Sequence, residues 1–117
     1  MLTAHHVNAF IVIGVCTVSA VGALVAYRRR GRAGRTVAQL LALAQTVLVA
    51  QVGMGLLLLG DGRRAPDRLH YVYGSLALLA TLSPWMYAPV EPKRRLLWFG
   101  GATLVAAALA ARAYMTA

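Results

Sequence analysis

Acidic side chains are almost missing from this chain. Asp61, Asp67 and Glu91 are the whole set. None of them falls inside a long apolar run, so no buried carboxylate is available to relay protons across a membrane. There is one cysteine, Cys16. That excludes an internal disulfide, a Cys-x-x-Cys redox pair and a metal–thiolate cluster. Cys16 stands in an apolar stretch and is expected to pack as a small residue. No glycine-rich loop follows a strand pattern, so phosphate-cradling motifs are absent. No Ser–His–Asp arrangement is visible, and no residue is singled out as catalytic. Histidine is scarce too, with only His5, His6 and His70.

What is present is apolar side chain and positive charge. Hydrophobic residues make up 60% of the 117, and the mean hydropathy is +0.66. The formal net charge is +9, which raises the question of nucleic acid. The positions of the cations answer it. Arg28, Arg29, Arg30, Arg32 and Arg35 form one cluster, and Lys93, Arg94 and Arg95 form another. Both stand between long apolar runs, as membrane-flanking charge does. A lipid bilayer is the expected partner, and nucleic acid is not.

A helix needs about 20 residues to cross a ~30 Å hydrocarbon layer. Four segments fit, at about 5–27, 36–59, 69–87 and 96–114. The first is not patterned as a signal peptide, because its basic residues follow the apolar stretch. It is expected to be a retained span. The linkers are short, so neighbouring helices should be antiparallel. Pro84 lies in the last turn of the third span and should kink or end it. The first and third linkers carry the two basic clusters against Glu91 alone. The positive-inside rule places them in the cytoplasm, with both termini and the second linker outside. Tyr27, Tyr87, Trp98 and Tyr114 stand near span ends, where interfacial aromatics are favoured. The expectation is an all-α polytopic membrane protein. It is a single domain, 1–117, built as a four-transmembrane-helix antiparallel bundle in what looks like a bacterial cytoplasmic membrane.

A shift of 65 residues lays His5 on His70, and Arg28, Arg29 and Arg30 on Lys93, Arg94 and Arg95. Little else matches, so the repeat is only a hint of duplication. All three histidines then belong to the outer end. From His5 the same helical face carries Asn8, Ala9, Val12, Cys16, Ser19 and Ala23. That face is small and weakly polar, as helix-contact faces in membranes are. From His70 the face carries Gly74, Ala77, Thr81 and Pro84. His5 and His70 are therefore expected to point inward, with His6 at headgroup level or standing in for His5. Gln51 in an apolar span needs a partner. Gly55, on the same face, permits close approach of a backbone or a flat ligand.

Two neutral imidazoles facing each other across a bundle can hold haem iron from both sides. The expected cofactor is a b-type haem near the outer surface, ligated by His5 and His70. Its propionates would meet Arg63, Arg64, Arg68 or Arg112, since a guanidinium fork matches a carboxylate.

The segments "HHVNAF" and "AQVGMGLLLLGDGRRAPDRLHYVYGSLALL" resemble one half of the haem A synthase family. That family has eight transmembrane helices in two related four-helix halves. The resemblance places the family's helix-starting histidines at His5 and His70, and its glutamine–glycine and loop-proline pattern at Gln51, Gly55 and Pro66. It implies a haem-binding bundle, with a homodimer as one way to restore eight helices. The chain departs from the family at Leu2, where a glutamate tied to the oxidation chemistry is characteristic, and at His6, where arginine is usual. The function expected is therefore electron transfer or haem handling by a small cytochrome-like protein, and whether it is an enzyme stays open. The alternative is a haem-free accessory subunit of a large respiratory or photosynthetic membrane complex.

Overall fold

The structure is a computed structural model describing residues 2–117. The described residues form helices and turns only: α1 (Leu2–Arg29), α2 (Gly34–Gly60), α3 (Leu69–Leu82), the single turn α4 (Pro84–Tyr87) and α5 (Pro92–Met115). Three of these helices, α1, α2 and α5, are long and apolar enough to cross a membrane. Each runs past the apolar segment read from the sequence, because the backbone ladder continues into the basic linkers. α5 starts at Pro92, where a missing N–H costs nothing and the fixed φ suits a first helical turn.

The expected span over 69–87 is broken in two. α3 has 14 residues, a rise of about 21 Å, and α4 adds one further turn. Pro84 causes the break, and neighbouring side chains satisfy the carbonyls it frees. Ser83 Oγ donates to the Ala80 carbonyl at 2.9 Å, and Gln45 Nε2 of α2 donates to the Thr81 carbonyl at 3.1 Å. Trp85 Nε1 in turn donates to Gln45 Oε1 at 3.0 Å. A Pro-broken apolar helix is tolerated where such partners re-satisfy the backbone.

α1 forms the centre of the packing. Val12, Cys16, Ser19, Ala20 and Ala23 are all buried. Small residues let the helices approach closely. A Cβ placed on Gly100 of α5 would lie 2.9 Å from Ala23 Cβ, so only glycine fits that crossing. Ser19 Oγ donates to the Leu40 carbonyl of α2 at 2.9 Å. The large aliphatic side chains point outward instead: Val18, Val21, Leu56 and Leu79 are all more than half exposed. Small residues inside and bulky apolar ones outside is the pattern of a protein solvated by lipid.

Contacts fix which ends meet. Gly55 of α2 reaches His5 of α1, Tyr114 of α5 stacks on Phe10 of α1, and His70 of α3 reaches Ala113 of α5. At the other end Gly31 lies against Lys93, 3.4 Å from its Cδ to a Cβ built on the glycine. The histidines thus gather at one end and the two basic linkers at the other.

Candidate functional site

The histidine end is hollow. A cavity of about 400 Å³ opens between α1, α2, α3 and the last turn of α5. That size falls in the usual range for small-molecule and cofactor pockets. Its lining includes His5, His6, Gln51, Gly55, Arg63, Arg64 and His70, seven of the residues singled out from the sequence. Arg68 and Arg112 are not part of the lining among the described residues. Arg68 is exposed at the start of α3, and the Arg112 guanidinium lies over the Tyr73 ring at 5.5 Å.

The two inward histidines face each other. Their ring centroids are 6.2 Å apart and their planes are inclined by 78°. An imidazole nitrogen binds a first-row metal ion at about 2 Å, and the ring centroid stands about 1 Å behind that nitrogen. Two in-line axial imidazoles therefore need centroids about 6 Å apart. The observed separation meets that requirement. Both planes can contain the metal axis at any mutual angle, so the steep inclination is compatible with it.

His70 is held by a backbone group. Its Nδ1 lies 2.7 Å from the Ala113 carbonyl. A carbonyl can only accept, so Nδ1 carries a proton, and in the neutral imidazole the lone pair is then on Nε2. Ala113 is in the last turn of α5, and its carbonyl also accepts from Thr116 N at 3.2 Å and Thr116 Oγ1 at 3.0 Å. Fixing one imidazole nitrogen on a carbonyl while the other stays free is how proteins orient metal-binding histidines. The same bond also has a purely structural value, since it ties α3 to the last turn of α5.

His5 is placed by its backbone. Its carbonyl accepts from Gln51 Nε2 at 2.9 Å. Asn8 Nδ2 donates to Gln51 Oε1 at 3.0 Å and approaches the Val47 carbonyl at 3.1 Å. Gln51 thus finds its partners on α1, and the pair pins α1 to α2 at the cavity wall. The His5 ring is less well served. Its Nδ1 is buried and has no hydrogen-bond partner. A buried polar atom without a partner is costly and calls for a reason. Gly55 supplies the space beside this ring: a Cβ there would lie 3.3 Å from His5 Cε1.

The mouth is ordered by turn chemistry. α2 ends with Gly62 at φ +79°. Gly62 N donates to the Leu59 carbonyl at 3.1 Å and Arg63 N to the Leu58 carbonyl at 3.0 Å. This is the paired closure that a left-handed glycine allows after a helix. It sets the backbone of Arg63 and Arg64 at the cavity rim. Tyr71 then ties down the linker by accepting from Ala65 N through its hydroxyl at 2.8 Å. Asp67 Oδ1 accepts from Leu69 N at 2.9 Å and starts α3.

Two imidazoles lining one cavity and two guanidinium groups at its rim suit a flat metal macrocycle with acidic substituents. Such a group brings its own equatorial ligands and needs only axial ones from the protein. His5 and His70 are the two imidazoles at hand to hold such a group. Searches against protein-family models, curated proteins and solved structures gave no match.

Proposed function

We propose that this chain is an integral membrane haem protein of the cytochrome kind, with one b-type haem held between His5 and His70. The observation that carries the proposal is the 6.2 Å separation of two imidazoles from different helices that line one cavity. The likeness to one half of haem A synthases points the same way. In this reading α1, α2, α3 with α4, and α5 make four crossings, and both termini lie outside.

Each residue has a part. His5 and His70 would hold the haem iron, and the Ala113 carbonyl, by engaging Nδ1, would leave the Nε2 side of His70 for it. Gly55 leaves room for the His5 ring against α2. Gln51 and Asn8 set the depth of His5. Arg63 and Arg64 meet the propionates at the rim, and exposed His6 stands beside them. When bound, haem supplies one-electron exchange between ferric and ferrous iron.

A reduced-minus-oxidised absorption spectrum of detergent-purified protein tests this, with a pyridine haemochrome assay for haem type. Sharp α and Soret bands at close to one haem per chain are expected. His70→Ala should abolish the six-coordinate spectrum, whereas His6→Ala should leave it. Protein that stays colourless after reconstitution with haem would reject the reading. A haem-free accessory subunit of a membrane complex would then be the better account.

A further inference from the structure

The opposite end of the molecule carries a second, separate feature. The linkers 28–35 and 88–95 meet there through Gly31 and Lys93, and Lys93 Nζ lies over the Tyr27 ring at 5.2 Å. Eight cations, Arg28, Arg29, Arg30, Arg32, Arg35, Lys93, Arg94 and Arg95, share this end with Glu91 as the one acidic residue of the two linkers. Beside them an apolar groove of about 310 Å³ runs between α2 and α5. Ala38, Leu41 and Ala42 form one wall, and Leu96 and Phe99 form the other. Arg95 stands at its rim. Its guanidinium lies over Trp85 at 5.4 Å and over Phe99 at 5.0 Å. Trp85 is itself anchored on Gln45. Arg95 is thus the half-buried member of an otherwise exposed basic set.

We propose that this groove is a binding site for an anionic phospholipid. One acyl chain lies along Ala38, Ala42 and Phe99, and the phosphate meets Arg95. Three features select that occupant. The groove is apolar along its length and basic at one end, matching a lipid in polarity. Its rim is at the level where two interfacial aromatics, Trp85 and Tyr27, place the headgroup layer. The excess of cations attracts acidic headgroups over neutral ones. A guanidinium pre-set by two aromatic faces loses little freedom on pairing with a phosphate. The proposal rests on the membrane-crossing character of α1, α2 and α5 and is independent of haem.

Native mass spectrometry of the full chain in detergent tests it. The protein is titrated with phosphatidylglycerol and, separately, with phosphatidylcholine of the same acyl chains. One phosphatidylglycerol is expected to be retained with at least about a fivefold preference over phosphatidylcholine. Arg95→Gln should remove that preference. Ala42→Phe, at an exposed position, fills the groove without changing charge and should remove retention altogether. Arg29→Gln, in the same basic set but away from the groove, should keep both. Equal retention of the two lipids by the wild type overturns the proposal without reference to any variant. So does an Arg29→Gln loss equal to that of Arg95→Gln, which would mean diffuse attraction with no site. Unchanged retention in Ala42→Phe overturns it as well, by removing the groove from the binding.

Discussion

At the level of single residues, the sequence told most about which side chains turn inward. The face running from His5 through Asn8, Val12, Cys16, Ser19 and Ala23 is the face that packs, and so is the one from His70 through Ala77, Thr81 and Pro84. Both were legible because small residues recur at helical spacing, and close helix packing in lipid requires small residues. Gln45 escaped notice, although it is a polar residue in an apolar span just as Gln51 is. The signal was there; its partners, a carbonyl bared near a proline and an indole N–H, belong to another helix. The Ala113 carbonyl had no signal at all, since any residue offers the same acceptor. Arg68 and Arg112 were placed near the cavity by their depth alone, and depth does not fix direction around a helix. Gly55 is the sharpest single-residue test of the pocket. Gly55→Ala puts a methyl 3.3 Å from His5 Cε1. Displacing the ring should weaken haem retention about tenfold, in line with ordinary overpacking costs. Gly53→Ala, with open space around it, should leave the haem-to-protein ratio unchanged.

The element scale is governed by how closely α1 meets its neighbours. The three long apolar helices were visible in the hydropathy, and the break within 69–87 in its proline. What the sequence did not disclose is that α4 is a separate turn, joined to α3 through Ser83 and held to α2 by Gln45 and Trp85. The α1–α5 crossing depends on Gly100. Gly100→Ala places a methyl 2.9 Å from Ala23 Cβ, backbone-borne on both sides and unable to swing away. Loss of about 1–3 kcal/mol is expected, seen as a lower melting temperature in detergent. Gly101→Ala meets nothing within 4 Å and should melt like the wild type, apart from any gain in helix propensity.

For the whole molecule, the two ends differ in charge and in content, one hollow and lined with histidine, the other basic. That polarity underlies the proposed orientation and makes it testable with thiol reagents. Cys16 is fully buried and should not react. In intact cells, Arg64→Cys should be labelled by a membrane-impermeant maleimide, and Arg29→Cys only after permeabilisation. The reverse pattern would turn the molecule over and carry the histidine cavity to the cytoplasmic side.

The break at Pro84 has a bearing on the bilayer itself. α1 and α2 have 28 and 27 residues, each about 40 Å at full helical rise, against about 21 Å for α3. Even with α4 appended, the third element is the shortest of the set. A hydrophobic stretch longer than the membrane can tilt, whereas a short one thins the lipid around it. In the proposed four-crossing arrangement the α3–α4 side sets the upper limit on thickness, and the longer helices lean to match. Such a molecule is wedge-like in its demand on lipid. It would be most at ease where the bilayer is thin, or beside a larger protein that thins the bilayer for it.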